Sequence, residues 1–423
     1  MAVMLLSGYN TFPERSHLHE QSPDVGVQIV QEAIRRDAFE NVLACMHLAG
    51  KDKDAKVEVA QDRWWKLRPM FNVINETSKA YHPYPASMSV DEMMIKYYGH
   101  HRDKQYMKGK PIKFGFKCWG TCDSETGTPW HIEPYCGAHT ALPTFNLGQG
   151  PDVIAGMVEK TGIVPGTKMF FDNLFTSIPL LKHLTDRGIS GTGTMRQNRI
   201  NSIPIPVKKD LEKLDRGETL EVHSDNVAII GWKDSRGVYM ASNSVANPLD
   251  KFTLVRRYNR KDRVTVMVPC PLMVVGYNGG MGGVDLLDRM VSYYVACLRK
   301  RKWWWPMWAW FHNVQCVSAW RLFQRVTGKS KKEYGLLKFL RAAVVQTLRR
   351  YGTPLPKSGR NKSVNVRGTA ADPIRYDGLN HWSSDVLVSR GVCQQCKKRT
   401  FYTCIKCNKY VHPLCFRAYH TGQ

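Results

Sequence analysis

The stretch KMFFDNLFTSIPLLKHLTDRG, residues 168–188, has the pattern of a buried strand followed directly by a helix. Three apolar residues follow Lys168, and the part that begins at Thr176 has helical spacing and ends at Gly188. A second helical pattern, PDVIAGMVEKTG at 151–162, precedes this stretch and ends with a glycine. Strand and helix therefore alternate through this region, as they do in α/β sheets.

Upstream of this region the pattern changes to neighbouring strands. In KPIKFGFKCWGTC, residues 110–122, apolar and polar residues alternate with the period of a half-buried strand. The polar DSETGT that follows is a predicted turn, and WHIEPYC at 130–136 is a predicted returning strand. SMSVDEMMIKYYG at 87–99 contains another candidate strand. Strands in a row, followed by alternating strand and helix, predict a mixed α/β sheet.

The other segments differ in composition, which sets the predicted domain boundaries. Residues near the start have helical periodicity, a later stretch is rich in β-branched residues with SD and DSRG turns, and a Gly/Pro-rich basic stretch is typical of a linker. In chain order, the predicted segments are a helical region (1–84), the first part of the α/β core (85–200), a β-rich insertion domain (201–265), the second part of the core (266–328), a helical segment (329–351), a linker (352–380) and a Cys/His-rich module (381–423).

The charge balance indicates a polyanionic partner. The chain has 423 residues, with 61 Lys and Arg against 36 Asp and Glu, which gives a formal net charge of +25. An excess of this size favours nucleic acid as the partner, with a membrane surface as the second candidate. We found no uninterrupted apolar run approaching the roughly 20 residues that span a bilayer, so no membrane partner is expected.

The cysteines are distributed as in a protein of a reducing compartment. Seven of the 12 are scattered through the chain, and the other five lie in the last stretch. Scattered thiols are typical of core residues, and a terminal cluster is typical of a metal site. The start, MAVMLLSGYN, is short and lacks the basic lead of a secretory signal. An intracellular protein, located in the nucleus, is therefore expected.

Four aspartates are candidates for one metal site. In GGMGGVDLLDR (279–289), Asp285 and Asp288 would lie one turn apart on the same face of a helix. Asp172 follows an apolar strand directly, and Asp91 lies in or beside another candidate strand. Mg²⁺ prefers carboxylate oxygens, and two such ions roughly 4 Å apart can activate an attacking oxygen and stabilise the leaving one. The alternatives are favourable contacts with a helix dipole and, for Asp172, a helix N-cap.

A basic and aromatic stretch, LRKRKWWWPMWAW at 298–310, is a candidate DNA-binding segment. Basic groups neutralise phosphates, and an indole can stack on an unpaired base. The alternative is that the tryptophans belong to the core. The RKRK run could also assist nuclear import. The candidate basic DNA-binding residues are Arg289, Arg299, Lys300, Arg301 and Lys302.

The terminal stretch CQQCKKRTFYTCIKCNKYVHPLCFRAYH, residues 393–420, has the paired spacing of zinc ligands. Eight candidate ligands would suffice for two tetrahedral Zn²⁺ sites; they are His381, Cys393, Cys396, Cys404, Cys407, His412, Cys415 and His420. We expect a cross-braced arrangement, in which the first and third ligand pairs hold one ion, and the middle pair holds the other together with two histidines. The spacing does not decide which histidines complete the second site. So small a module should depend on metal for its folding.

Several of these segments, taken in order, resemble one family. The sequence contains SVDEMMIKYYG with KPIKFGFK, then FFDNLFTSIPLL, then GWKDSRGVYMAS, then YNGGMGGVDLLDRM with KWWWPM. This order is similar to that of the piggyBac-type DDE transposases, and the resemblance extends over nearly the whole chain, including the Cys/His module. It implies an α/β fold with an RNase H-like catalytic core, interrupted by the β-rich insertion and flanked by helical segments for dimerisation and DNA binding.

The resemblance also implies an activity and its residues. Asp91, Asp172 and Asp285 match the catalytic carboxylates, and Asp288 matches a fourth acid. The implied enzyme is a Mg²⁺-dependent cut-and-paste DNA transposase that acts as a homodimer on the double-stranded ends of a transposon. Its DNA ends pass through hairpins and join TTAA targets. Trp305 matches a tryptophan that supports hairpin formation, so the resemblance makes it a candidate DNA-binding residue as well.

Some features leave alternatives open. The Cys/His module implies binding to transposon ends, but such zinc modules can instead bind histone tails, and His412 stands where relatives often have cysteine. Relatives also carry a longer polar N-terminal segment, so the chain is expected to be shortened or to have lost it. A domesticated, non-cutting nuclear protein that binds DNA or chromatin is the main alternative function. A simple RNase H-like nuclease would leave the zinc module and the aromatic stretch unexplained.

Overall fold

The computed structural model describes residues 1–22, 24–48, 62–200, 203–224, 226–244, 252–259, 263–296, 298, 301–353, 372–385 and 390–422. Most of the predicted linker, 352–380, lies outside the described residues. The chain divides into two compact units, of which one contains residues 47–336. The other unit combines residues 1–46 with residues 337–423. Of the helices in the described segments, none is both long enough and apolar enough to cross a membrane.

Helices occupy both ends of the chain and alternate with strands in between. The helices are α1 (Ala2–Leu6), α2 (Gln28–Ala33), α3 (Arg36–Cys45), α4 (Arg68–Tyr81), α5 (Gln149–Thr161), α6 (Ile178–Thr185), α7 (Lys208–Leu211), α8 (Leu272–Gly280), α9 (Gly283–Ser292), α10 (Trp305–Thr327), α11 (Leu336–Tyr351), α12 (Asp372–Arg375) and α13 (Phe416–Thr421). Gly162 is the left-handed C-cap residue of α5, as predicted, whereas α6 ends at Thr185 and Gly188 adopts the left-handed conformation three residues later.

The strands of the larger unit are β1 (Ser87–Lys96), β2 (Gln105–Tyr106), β3 (Phe114–Asp123), β4 (Pro129–Pro134), β5 (Lys168–Phe171), β6 (Ser190–Met195), β7 (Thr219–Ser224), β8 (Val227–Lys233), β9 (Gly237–Ser242), β10 (Phe252–Asn259) and β11 (Val264–Pro271). The first nine form one sheet in the order β2-β3-β1-β5-β6-β9-β8-β7, with β4 also paired to β3. Because β1 pairs antiparallel with β3 and parallel with β5, the sheet is mixed. The predicted mixed α/β fold is confirmed.

Strands β7 to β9, from the segment predicted as a β-rich insertion, continue the main sheet beyond β6. The junction is the antiparallel pairing of β6 with β9, where the hydroxyls of Thr192 and Ser242 hydrogen bond at 2.7 Å. The amide of Asn243 also accepts from the backbone N–H of Gly191. Strands β10 and β11 form a separate two-stranded ribbon, whose inner face packs through Val268 on Trp232.

The two faces of strand β1 pack against different helices. Met88 and Val90 lie in the core shared with α5 and α6, as does Phe171 of β5. Because side chains alternate along a strand, Ser89 and Asp91 lie on the opposite face. Helices α8 and α9 cover that face, since both contact β1. The opposite face of β1 is therefore the one that carries candidate site residues.

Two glycines allow these helices to approach the sheet closely. A Cβ at Gly280 would lie 2.2 Å from the ring of Phe170, and one at Gly283 would lie 2.4 Å from the carbonyl oxygen of Asp123. A side chain at position 280 would require the ring of Phe170 to move, and one at position 283 would require the helix or the backbone at Asp123 to move. Gly280 and Gly283 therefore serve close packing between helix and sheet.

The smaller unit contains α1 to α3, α11 and the Cys/His module. The module has two small sheets, one of β12 (Ser383–Asp385), β15 (Tyr402–Cys404) and β16 (Lys409–Tyr410), and one of β13 (Gly391–Val392) and β14 (Arg399–Thr400). Its buried cluster consists of Cys393, Cys404, Cys407, Val411 and Tyr419. Three of these five residues are predicted metal ligands, so the module has little apolar core of its own.

Candidate functional site

Asp91 lies on β1, and Asp172 lies directly after the neighbouring parallel strand β5. Val90 of β1 pairs with Phe171 of β5, and each aspartate is the residue that follows. Burial raises the pKa of Asp91 to about 6, against the opposing effect of Lys110. The pKa of Asp172 is also raised, mainly by burial. Two carboxylates far apart in sequence are thus brought together at one point of the sheet.

Asp285 and Asp288 reach the same region from α9. The helix is held against β1 by a buried hydrogen bond at 3.0 Å, which the backbone N–H of Val284 donates to the hydroxyl of Ser89. Burial raises the pKa of Asp288 to about 7, and the negative charges of Asp285 and Asp91 add to this effect. Asp285 itself is exposed. The four predicted acids therefore lie close enough for their charges to interact.

These carboxylates lie in one region, but their oxygens are not yet close enough together to bind one metal ion as a group. Within the described residues, no three carboxylates have ligand atoms that all lie within 4.8 Å of one another. Raised pKa values are expected where like charges and burial combine, and a cation among the carboxylates would relieve both. The donor set is hard oxygen throughout, which fits Mg²⁺.

The loop that carries Asp172 is held by hydrogen bonds that the sequence did not reveal. The guanidinium of Arg199 donates to three backbone carbonyls of this loop, at 3.2 Å to Asn173, 2.9 Å to Leu174 and 2.5 Å to Thr176. Ser177, and not Asp172, is the N-cap of α6, since its hydroxyl accepts from the backbone N–H of Leu180. The alternative N-cap role for Asp172 is therefore wrong.

Further polar groups surround the acids, although none was a candidate in the sequence. The ammonium of Lys110 lies 4.0 Å from an oxygen of Asp91 and 3.7 Å from one of Glu92. The hydroxyl of Tyr277, on α8, hydrogen bonds Thr194; burial raises its pKa to about 12, and nearby aspartates contribute. The pattern SVDE contained the signal for Glu92, whereas Lys110 and Tyr277 depend on tertiary packing.

Trp305 is buried. It begins α10, only 4% of its surface is exposed, and its indole N–H donates to the carbonyl of Leu298 at 2.6 Å. Its ring packs against Trp308, with ring centroids 4.8 Å apart. In this structure Trp305 is thus part of the core, as the alternative interpretation held for some of the tryptophans.

The basic residues beside this tryptophan have different surroundings. Arg301 and Arg289 are exposed, whereas Lys302 is half-buried and lies over the ring of Trp304. Arg299 and Lys300 lie outside the described residues. The exposed arginines are the ones whose charge is accessible to a phosphate.

In the Cys/His module the predicted ligands come together in two groups. One contains Cys393, Cys396, His412 and Cys415, and the other contains His381, Cys404, Cys407 and His420. Within each group, all ligand atoms lie within 4.8 Å of one another. Each group combines the residues of one cross-braced site expected from the spacing, with His381 and His420 as the two histidines of the second.

The surroundings of these groups suit zinc. The ring of His381 hydrogen bonds the carboxylate of Asp377 at 2.9 Å, an arrangement that commonly orients a metal-bound histidine. The Nε2 atom of His420 is buried and has no hydrogen-bond partner among the described residues, and a metal ion would satisfy it. Burial would raise the pKa of Cys393, but backbone N–H groups, including that of His412, lower it to about 6 overall. Four soft ligands per group match a tetrahedral zinc site.

Comparisons with known proteins identify the family. A family model described as "Transposase IS4" matches residues 1–320. The human PiggyBac transposable element-derived protein 3 is 33% identical, over all of this chain and 69% of its own length. The human PiggyBac transposable element-derived protein 2 is 29% identical, over 99% of this chain and 69% of its own length.

A third human relative, the chimeric ERCC6-PGBD3 protein, is also 33% identical, over 38% of its own length. A solved piggyBac transposase, from a synaptic complex with hairpin DNA, superposes with a TM-score of 0.66 at 19% identity. That match covers 98% of this chain and 87% of the transposase chain, and it shows a common fold. This chain belongs to the family of piggyBac-type DDE transposases.

Proposed function

We propose that the chain is a Mg²⁺-dependent DNA transposase whose catalytic residues are Asp91, Asp172, Asp285 and Asp288. The observation that carries the proposal is the adjacent placement of Asp91 and Asp172 beyond the paired Val90 and Phe171, beneath a helix that brings two further acids. A binding protein has no evident need for four acids at one point of a basic chain.

The fold supports an RNase H-like core for this site. Strands β4, β3 and β1 are antiparallel, and β5 and β6 continue the sheet in parallel with β1. In the proposed organisation, residues 85–200 and 266–328 form this core, 201–265 its insertion, 1–84 and 329–351 the dimerisation and DNA-binding segments, and 381–423 a module with two Zn²⁺ ions.

The proposed reaction begins with hydrolysis. Two Mg²⁺ ions, when bound, would activate the attacking oxygen and neutralise charge on the leaving one. Asp91 is held within β1, Asp172 is held directly after the end of the adjacent strand β5, and α9 supplies Asp285 and Asp288. Water attacks the phosphorus of a phosphodiester at each transposon end. The bond from phosphorus to the 3′-oxygen breaks, which leaves a 3′-hydroxyl on one side and a 5′-phosphate on the other.

Strand transfer then needs no covalent protein intermediate. The 3′-hydroxyl attacks a phosphodiester of the opposite strand, which forms the hairpin and releases the flanking DNA with its own 3′-hydroxyl. Water then reopens the hairpin, and the freed 3′-hydroxyls attack phosphodiesters at a TTAA target and displace the 3′-oxygens there. Positioning and electrostatics account for such phosphoryl transfers. Exposed basic residues, Arg289 and Arg301 among them, would bind DNA phosphates. We further propose that the chain acts as a homodimer, which would bring the two transposon ends together, and that it acts in the nucleus.

Trp305 keeps its proposed role in hairpin formation only if its ring leaves the core. Its indole hydrogen bond to Leu298 would then break. Its present burial makes a structural role in α10 the simpler one.

The test is strand cleavage with a matched pair of variants. Duplexes from both TTAA-flanked ends of the genomic segment that encodes the chain are incubated with the protein and Mg²⁺. Asp285→Asn removes one carboxylate charge from the site, and Asp186→Asn removes one from an exposed position outside it. We expect nicks and hairpins from the natural chain and Asp186→Asn, and at least about a hundredfold less from Asp285→Asn.

The opposite outcome would favour the second function. If the natural chain binds the end duplexes tightly but gives no product, the non-cutting DNA- or chromatin-binding protein is supported instead. Equal cleavage by the natural chain and Asp285→Asn would assign the activity to other residues or to a contaminant.

A further inference from the structure

Lys110 faces the acidic site. Lys110 lies between β2 and β3, with its ammonium 4.0 Å from Asp91 and 3.7 Å from Glu92. Its side chain is 34% exposed, so it lies at the rim of the site. Burial alone would lower the pKa of Lys110, but the charges of Asp91, Glu92 and other acids raise it overall, and it is a cation at neutral pH.

The second partner of this lysine, Glu92, is held from the other side. The ammonium of Lys117 lies 3.4 Å from the carboxylate of Glu92. Lys117 is in turn fixed by two aromatic rings, since its ammonium lies 3.8 Å from the ring centroid of Trp119 and 4.6 Å from that of Tyr135. Glu92 is thus a carboxylate with a fixed orientation, available as an anchor for Lys110.

The two partners of Lys110 differ in what happens to them when metal binds. Asp91 is a proposed metal ligand, and its charge would then be taken up by the ion. Glu92 is not among the proposed ligands, so it can keep its contact. A bound divalent cation also repels the ammonium, which has a flexible stem and can move by a few ångströms.

We infer that Lys110 is an exchangeable counter-cation of the catalytic carboxylates, which metal binding displaces from Asp91 and which Glu92 then holds at the rim as a binding group for a DNA phosphodiester. The inference rests on the proposed function. In the metal-free chain the ammonium neutralises part of the acidic cluster. In the metal-loaded chain it points to the anion nearest the ions, the phosphate of bound DNA. Lys110 is in this proposal a DNA-binding residue, and Glu92, which acts through Lys110, is a positioning residue.

The first test is metal affinity without DNA. Mn²⁺ binding is measured by water-proton relaxation on the full, zinc-loaded chain. The Mn²⁺ that the Asp285→Asn variant still binds is counted as binding elsewhere and is subtracted, which leaves the binding at the proposed site. Lys110→Met should bind Mn²⁺ about fivefold more tightly than the natural chain, because a competing like charge is gone. Lys113→Met removes the same charge from an exposed position three residues away, and its affinity should change less than about twofold.

The second test is DNA affinity in the presence of Ca²⁺. Lys110→Met should bind the end duplexes several-fold more weakly, and so should Glu92→Gln. If Glu92 acts by holding Lys110, the double variant should be no weaker than either single one. Lys110→Arg should retain most of the DNA affinity, which a merely structural role for the lysine stem would not require.

Unchanged or weaker Mn²⁺ binding by Lys110→Met would overturn the inference, and so would an equal gain in Lys113→Met. Either result leaves the proposed function intact as long as Asp285→Asn loses site-specific Mn²⁺ binding. If Asp285→Asn binds Mn²⁺ as the natural chain does, the proposed metal site fails, and this inference fails with it. Failure of the inference about Lys110 and failure of the proposed metal site therefore give different results in these measurements.

Discussion

The hydroxyl of Ser89 accepts a buried hydrogen bond from the backbone N–H of Val284, 195 residues away in the chain. Asp91 lies two residues beyond Ser89 on β1, and Asp285 follows Val284 on α9. This contact ties the helix that carries two acids to the strand that carries a third.

The close approach of α9 to the sheet predicts that Gly283→Ala impairs catalysis. The added Cβ would meet the carbonyl oxygen of Asp123 and the hydroxyl of Ser89, so α9 must shift. A displacement of about 1 Å at a catalytic site can cost about a hundredfold in rate. We expect a loss of that order in strand cleavage. Gly282→Ala is the control, since a Cβ there meets no atom within 4 Å. Equal losses in both variants would contradict this account.

The raised pKa values of Asp91 and Asp288 predict a pH dependence of stability. Their pKa values of about 6 and about 7 lie above the ordinary value of 3.8. The stabilising contribution of each group is therefore complete below about pH 4 and is lost as the pH rises through its folded-state pKa. Without Mg²⁺, Asp288→Asn should raise the midpoint of thermal unfolding by roughly 2–5 °C at pH 8 and by less at pH 5.

The control for this experiment is Asp186→Asn, at an exposed position. The difference between its midpoint of thermal unfolding and that of the natural chain should be the same at pH 5 and pH 8. Added Mg²⁺ should stabilise the natural chain more at pH 8 than at pH 5, because the carboxylates must be ionised to bind it. A stabilising effect of Asp288→Asn that is larger at pH 5 would contradict the assignment.

Arg199 should matter for the loop that carries Asp172. Arg199→Gln loses the guanidinium that donates to the carbonyls of Asn173, Leu174 and Thr176. We expect a loss of about 2 kcal/mol in the free energy of unfolding, because charged hydrogen bonds are lost and carbonyls are left without a donor. Arg196→Gln loses a single hydrogen bond to the side chain of Asn173 and should cost less. Urea denaturation measures both; equal costs would argue against the proposed anchoring.

The two Cys/His groups predict a zinc stoichiometry. Metal analysis of the natural chain should find two Zn²⁺ ions, and Cys404→Ser and Cys393→Ser should each retain one. Cys45→Ser, which changes an exposed cysteine outside the module, should retain two. Asp377→Asn should keep two ions but bind the second group's ion about tenfold more weakly, since it orients His381. Equal zinc loss from Cys45→Ser would contradict the two-site assignment.

Local patterns predicted much of this fold. The alternation in KPIKFGFKCWGTC and the apolar KMFF correspond to β3 and β5, because strand period and burial are set by nearby residues. The composition of the 219–242 region indicated strands but not their partners. Their union with β6 depends on the contacts of Thr192 with Ser242 and of Asn243 with Gly191, which join residues some 50 positions apart.

In the site, too, local sequence predicted some residues, and contacts between distant segments determined the others. Asp172 and Asp91 were recognisable because each stands at or beside an apolar strand. Lys110 and Tyr277 were not, because their places depend on loops and helices that fold over the strand ends. Trp305 beside a basic run suggested an exposed ring, but the hydrogen bond to Leu298 and the packing of α10 bury it.

The most direct measurement of the central claim is anomalous scattering from crystals of the chain grown with Mn²⁺. We expect two peaks roughly 4 Å apart, with oxygens of Asp91, Asp172 and Asp285 within about 2.5 Å of them. Crystals of Asp285→Asn should lose at least one peak. A crystal of the natural chain that binds Mn²⁺ only away from these carboxylates, or that places Asp91 and Asp172 on opposite faces of the sheet, would contradict the account.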